Sequence, residues 1–287
     1  MYKILVFFSC LILGATVVDA HPGVGIVIDS KGNVFYTDLT HVWKIAANGE
    51  QSIAVRNVHT HELYIDEADN LYGEHEWYEG EVTDKWGNYV WCLGSDGVFE
   101  KTIQDVEGFL DNNTLVRDLE SSTYWAEKVD GHQMLKKQTA EGQVCFLTEH
   151  HFDDIRWMYF SKHDKNLYVV DLLKIKKVTP EGEVTVLAED LKDSIIPFAG
   201  VADRHYIFGM WSDKKKDLYV AVYGAGKIKK ISPSGKITTI FESNPFWSPS
   251  GGLHAPDGSQ WIMEFSIRNK TRVRKISADG KHTLYRS

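Results

Sequence analysis

A chain of 287 residues with 43% hydrophobic and 25% charged residues has ordinary globular composition, enough to fill one large core or two smaller ones. Its 40 acidic residues outnumber 32 basic ones, and a net charge of −8 with no basic stripe argues against a nucleic-acid binder. A mean hydropathy of −0.29 excludes a multi-span membrane protein.

Residues 1–20 read as a secretory signal peptide. Lys3 supplies a positive start, residues 4–17 an apolar run too short for a comfortable membrane span, and Val18-Asp19-Ala20 a small-x-small cleavage signature. The mature chain is then residues 21–287, a single secreted or periplasmic domain read as a monomer. Cleavage would leave His21 at the N-terminus, where amine and ring together can chelate copper. Cys92 and Cys145 remain, and they either pair in an oxidising compartment or stay as separate thiols. Asn112 and Asn269 stand in Asn-x-Ser/Thr sites.

The mature sequence is repetitive. VWKIAANGEQSIAV, VWCLGSDGVFEKTI, LKKQTAEGQVCFL, IKKVTPEGEVTVL, IKKISPSGKITTI and VRKISADGKHTLY each place a glycine turn between two strand-like runs. The glycines (Gly49, Gly97, Gly142, Gly182, Gly235 and Gly280) recur about 40 to 53 residues apart. Each unit predicts a β-hairpin whose glycine takes a positive φ. A second strand-turn-strand pair precedes each hairpin: IVIDSKGNVFYTD, LYIDEADNLYGEH, GFLDNNTLVRD, MYFSKHDKNLYVVD, YIFGMWSDKKKDLYVAV and GGLHAPDGSQWIME. Four strands in each of six units predict an all-β, six-bladed β-propeller of four-stranded antiparallel blades. No strand is left over to be exchanged between first and last blades, so closure is expected to rest on side-chain packing.

The units DSKGNVFYTD, DEADNLYGEH and APDGSQWIME resemble NHL repeats. They are also similar to blades of the gluconolactonase and senescence-marker propellers and of the virginiamycin-inactivating lyases. The resemblance spans residues 22–287 and implies the fold. Its members include lactonases, lyases and binding scaffolds, so it implies no single function. NHL repeats place an aspartate at the end of the second strand to bond a neighbouring blade's backbone. On this alignment that position is Asp38, His75, Asp118, Asp171, Val222 and Glu264. The departures His75 and Glu264 are expected to do something else.

Propeller topology brings the starts of the inner strands and the ends of the second strands to one channel mouth. The stretch from Val58 to Trp91 concentrates chemistry there. His59, His61 and Glu62 stand at the entry of its inner strand, and Glu74, His75 and Glu76 at the exit of the next. Imidazole with carboxylate suits zinc, manganese or iron, whereas carboxylates alone suit calcium. A metal site is expected from His61, His75, Glu74 and Glu264, with His59 or Glu62 as general base and Arg156 neutralising an acidic substrate. A polar hydrogen-bonded network is the structural alternative. A blade 2 insertion, residues 77–89, is expected to form a long loop whose Trp77, Tyr78 and Trp86 stack on a ligand, with His254 at the same mouth. A comparable loop is expected over residues 121–128, with Tyr124 and Trp125.

The chain lacks a Gly-x-Ser-x-Gly elbow, a phosphate-binding glycine loop and HExxH, which disfavours serine hydrolases, kinases and zincins. The sequence predicts a metal-assisted hydrolase or lyase on a small oxygenated substrate such as a lactone, sugar acid or oligosaccharide. The alternative is a non-catalytic extracellular propeller that binds a protein or glycan through its mouth loops. The gluconolactonase resemblance implies a calcium set of carboxylates and asparagines, from which this histidine-rich mouth departs.

Overall fold

The computed structural model describes residues 22–108, 115–193 and 201–287. The expected signal peptide, His21 and Asn112 lie outside them. The described residues are nearly all β, with two short 3-10 turns at Asp203–His205 and Tyr223–Ala225. Six antiparallel sheets of sequence-consecutive strands form the six blades of a propeller. Blade 1 comprises Ile26–Ile28, Val34–Thr37, His41–Ile45 and Gln51–Arg56. Blade 2 comprises Leu63–Ile65, Leu71–Tyr78, Trp86–Leu93 and Phe99–Glu107. In blade 3 the second to fourth strands are Thr123–Val129, His132–Gln138 and Val144–Phe146. Its inner place is held by the segment ending in Arg117, bridged to Thr123. The inner strands of blades 4, 5 and 6 are Ile155–Phe160, Met210–Ser212 and Trp247–His254.

The repeat signature is explained by one turn. Between inner and second strands, the first oxygen of Asp29 accepts the N–H groups of Lys31 and Asn33. Asp66, Asp118 and Asp213 do the same in blades 2, 3 and 5. A short polar side chain here closes the turn without a second residue having to bend back. The tyrosine opening the next strand donates to the same carboxylate in Tyr72–Asp66, Tyr124–Asp118 and Tyr219–Asp213. The second strands Val34–Thr37, Leu167–Asp171 and Leu218–Val222 are buried on both faces, because each blade is sandwiched between two others. This explains why they read as continuous apolar runs.

Packing between blades closes the ring. Ile26, Tyr36 and Ile45 of blade 1 share one core with Trp261, Met263 and Phe265 of blade 6. Gln51 adds a hydrogen bond to the Arg286 carbonyl, at 3.0 Å, between the outer strands. Among the described residues no strand is shared between these two sheets. Towards the axis the inner strands meet backbone to backbone. Val24 and Gly25 donate to the His61 carbonyl at 2.8 and 2.9 Å, and Gly209 donates to Ser250 at 2.8 Å. A Cβ on Gly251 would lie 2.5 Å from the Val24 carbonyl oxygen, and one on Gly209 would lie 2.6 Å from that of Ser250.

Two expectations about blade 3 are corrected. Asp118 caps the turn at the start of the second strand, at the far end from Asp38. Glu127, five residues after Ser122 as Asp38 is after Asn33, is the true counterpart. The loop expected over residues 121–128 is the second strand itself, and Tyr124 and Trp125 are buried. The misreading has a physical source, since an aspartate followed by a polar turn and a strand describes both ends of a blade.

Cys92 is buried in blade 2, Cys145 is exposed on blade 3, and both are free thiols. In unreduced, folded protein Cys145 should react with dithionitrobenzoate at once and Cys92 only after unfolding; a failure of both to react when unfolded would show that they pair. Replacing Gly251 with alanine forces backbone apart where no side chain can yield. It should lower stability by about 1–3 kcal/mol, read as a lower urea midpoint at constant slope.

Candidate functional site

The segment between blades 1 and 2 is fastened from both sides. Thr37 Oγ1 donates to the Thr60 carbonyl at 2.6 Å, and Trp91 Nε1 donates to the Glu74 carbonyl at 2.9 Å. The Thr60 hydroxyl also bonds the Glu74 carbonyl. These contacts hold residues 59–62 against the end of the second strand of blade 2. One Glu74 oxygen accepts the backbone N–H groups of His61 at 2.6 Å and Glu62 at 3.2 Å.

Strand alternation then sorts the side chains. Glu74 and Glu76 leave the strand on the side of His61, whose Nδ1 lies 3.9 Å from Glu74 and 4.0 Å from Glu76. The ring of His59 stands edge-on to that of His61, with centroids 4.8 Å apart. One ligand atom each from His59, His61 and Glu76 lies within 4.8 Å of the others. His59 Nδ1 is 2.9 Å from the Leu39 carbonyl oxygen, so its hydrogen sits there and Nε2 keeps its lone pair. A second nitrogen tied to a backbone carbonyl is how proteins orient a metal-binding imidazole. Leu39 itself holds a left-handed backbone, φ 68°.

His75 faces the other way. Its Nδ1 accepts the His59 backbone N–H at 2.8 Å, and its ring packs against Tyr89 with centroids 4.7 Å apart. In blade 4 Asp171 accepts the Asp154 N–H in the same manner, at 2.7 Å. His75 therefore does the work of an aspartate in securing the entry strand. Burial, then the neighbouring His59 and Lys101, lowers its pKa and keeps it a neutral acceptor.

Glu62 lines the central channel on the other side of this segment. Burial, reinforced by Glu74, raises its pKa to about 8. Glu74 rises to about 7, chiefly through burial, against the pull of the backbone donors on its oxygens. Two carboxyl groups near neutrality stand beside two imidazoles.

The other expected site residues do not join this group. Glu264 is fully buried in blade 6, where Arg272 grips both its oxygens at 2.8 and 2.9 Å and Arg274 and Ser243 complete its shell. With every lone pair directed to a donor, it serves an ion-pair network in its own blade. Arg156 sits at the start of the blade 4 inner strand, 3.4 Å from Asp154. His254 ends its inner strand and lies at the opposite end of the channel from His61, packed on Tyr219. The residue 77–89 insertion is an extension of the blade 2 hairpin, with Trp77 paired to Gly87 and Tyr78 to Trp86. Trp77 and Trp86 are half-buried on these strands, and only Tyr78, 56% exposed, is well presented to solvent. Glu76, which the sequence placed at the mouth without a role, replaces Glu264 in the cluster. Its spacing of two from Glu74 was the available signal.

No family model matches the chain, and no curated protein does. Solved structures do. A gluconolactonase from Xanthomonas campestris is 11% identical with a TM-score of 0.54, covering 93% of this chain and 87% of its own. A catalytically inactive virginiamycin B lyase from Staphylococcus aureus, solved with quinupristin, is 14% identical with a TM-score of 0.53, over 93% and 85%. The calcium-binding protein regucalcin from Agrobacterium tumefaciens is 14% identical with a TM-score of 0.52, over 85% and 82%. The chain thus has the six-bladed propeller fold of the gluconolactonase and virginiamycin B lyase proteins that its repeats resemble. At such identities the likeness is one of fold.

Glu264→Gln removes the charge that faces the buried Arg272 and the half-buried Arg274. It should cost about 3–5 kcal/mol of stability, as breaking a buried pair does, while any metal bound by the protein stays in place; metal loss from a folded Glu264→Gln protein would return Glu264 to the ligand set.

Proposed function

We propose that this chain is a secreted metal-assisted hydrolase or lyase acting on a small oxygenated substrate, such as a lactone, sugar acid or oligosaccharide, at the blade 2 rim. The observation that carries the reading is the His59, His61 and Glu76 cluster with His59 Nδ1 anchored on Leu39. Two imidazoles and one carboxylate form a donor set suited to zinc, manganese or iron rather than calcium. His59 would bind through Nε2, His61 through Nδ1 and Glu76 through one carboxylate oxygen. A metal held there supplies Lewis acidity towards a carbonyl or a bound water.

The remaining groups have separate tasks. Glu74 fixes the backbone of His61 and so the direction of its ring. Glu62, facing the channel, is placed to hold a proton at neutral pH and exchange it with a substrate oxygen. His75 holds the His59 backbone and takes no part in ligation. The fold relatives support the reaction class, since a gluconolactonase and a lyase stand among them.

A binding role has its own support. At the tip of the blade 2 hairpin Tyr78 and the fully exposed Val82 present apolar surface. Elemental analysis separates the two readings. Purified wild type, and a His75→Ala variant beside it, should carry near-stoichiometric zinc, manganese or iron that a His59→Ala/His61→Ala variant lacks. Glu76→Gln should weaken retention by about 10–100-fold, the scale on which metal-site partners act. A wild type that binds no metal after reconstitution would remove the metalloenzyme and leave the hairpin tip as the functional surface.

A further inference from the structure

The channel through the ring has an interior of its own. It encloses about 860 Å³ and is lined by residues of all six blades. That volume lies in the range of small-molecule sites. Six carboxylates stand on its wall, Asp29, Glu62, Asp66, Glu67, Asp69 and Asp118, against two cationic side chains, Arg117 and Lys162. Lys137 pairs with Asp118 at 3.3 Å, and Arg117 lies over the Tyr64 ring at 5.5 Å. The other five carboxylates make no ion pair among the described residues.

The charges at the far end are permanent. Burial would raise the pKa of Asp66, but its donors, Asn70 first and then Tyr72 and Ala68, bring it below the ordinary carboxylate value. The hydroxyl and N–H of Ser30 do the same for Asp69. Neutral donors hold these groups ionised without cancelling their charge, so the passage keeps a negative potential that a cation would relieve.

The carboxylates lie at two depths. Glu62, Tyr64 and Asp66 alternate along the inner strand of blade 2 and share one of its faces. Four residues of strand at about 3.3 Å each set Glu62 and Asp66 about 13 Å apart. Asp66 is joined by Glu67 and Asp69 of the following turn, and between the two ends the wall is aromatic, with Tyr64, Trp157 and Phe160. At the rim end Glu62 is half-buried, and among the described residues no hydrogen-bond donor meets its carboxyl, whereas Glu74 beside it takes two backbone N–H groups. With or without its proton, Glu62 offers an acceptor oxygen to the channel.

We propose that the central channel binds a linear polyamine, with one terminal ammonium on Glu62, the other among Asp66, Glu67 and Asp69, and its methylene chain along the aromatic wall. A primary ammonium brings the donors that Glu62 lacks, and aromatic faces attract a cationic chain. About eight chain atoms between the two nitrogens span the distance between the carboxylates. The site needs no metal and shares only Glu62 with the reaction proposed at the rim.

The test is calorimetry on the full-length protein after chelator treatment, with 1,8-diaminooctane as probe and 1-aminooctane and 1,8-octanediol as counterparts lacking one or both charges. The diamine should bind once per chain in the submillimolar range. The monoamine should bind at least about tenfold more weakly, the loss of one charge-assisted hydrogen bond, and the diol more weakly still. In Glu62→Ala the diamine should fall to the affinity of the monoamine. Glu67→Gln, a change at an exposed position, keeps the test decisive where Glu62→Ala fails to fold, and should weaken the diamine about threefold. Glu181→Gln, on the outer hairpin turn of blade 4, should leave binding unchanged. No diamine binding at millimolar concentration, equal affinity for the monoamine, or equal losses in Glu67→Gln and Glu181→Gln would overturn the proposal, the last by showing only general attraction to an acidic chain. Because the protein is metal-free throughout, none of these outcomes depends on a metal at the rim.

Discussion

The structure depends on how closely the inner strands approach. Around the axis, blades 5, 6, 1 and 2 touch through main chain, with Gly209 against Ser250, Gly251 against Val24 and Gly25 against Leu63. Any side chain at these glycines would open the ring, so their absence of a Cβ sets the radius of the propeller. Interblade hydrogen bonds then do work that a shared strand does in other propellers, and the ring closes on the packed core between blades 6 and 1. The same contacts carry the His61 carbonyl into blade 1, which makes the rim cluster a continuation of the ring's closure.

A second rule operates one layer out. The residue six positions before each hairpin glycine is Trp43, Trp91, Lys136, Lys176, Lys229 or Arg274. All six are donors, and five find an acceptor close to the end of the second strand. Trp43 bonds Asp38, Trp91 the Glu74 carbonyl, and Lys136 lies 3.4 Å from Glu127. Lys176 pairs with Asp171 and Arg274 with Glu264. In blade 5 the acceptor position is Val222, and Lys229 turns instead to Asp193 and the Leu191 carbonyl. A buried cation without a partner is far costlier than an unusual partner, so the acceptor is conserved by physics even where the residue is not. Blade 2 is the blade in which an uncharged donor, Trp91, needs only a carbonyl. Its carboxylates and imidazoles are thereby released from neutralising a lysine or arginine.

These rules explain what was legible in the sequence. The fold was, because the turn aspartate, the following tyrosine and the hairpin glycine each recur at a fixed place and each has one local job. The cluster was legible in part. His59, His61, Glu74 and Glu76 were placed at one mouth because they crowd one stretch, with His59 expected as a base and Glu74 as a ligand, whereas the cluster joins His59, His61 and Glu76. Glu264 was misassigned because its partners, Arg272 and Arg274, lie on another strand, and a one-dimensional alignment cannot tell a carboxylate facing an arginine from one facing an imidazole. The aromatic insertion was misread because Trp77 and Trp86 look like loop residues until their cross-strand pairing is known. His254 was expected at the rim and instead ends its inner strand, since its place depends on Ala255 beginning the turn that Asp118 begins in blade 3.

The separation of roles along the axis follows from the same geometry. Inner strands run from the rim to the far end of the channel, so residues at their starts and ends cannot meet. The rim gathers the ionisable groups His59, His61, Glu62, Glu74 and Glu76. The interior gathers the aromatic side chains of Tyr64, Trp157 and Phe160. A single ring of strands thus sets the histidine cluster and the aromatic interior at different depths of one passage, with Glu62 the group of the rim segment that faces into it.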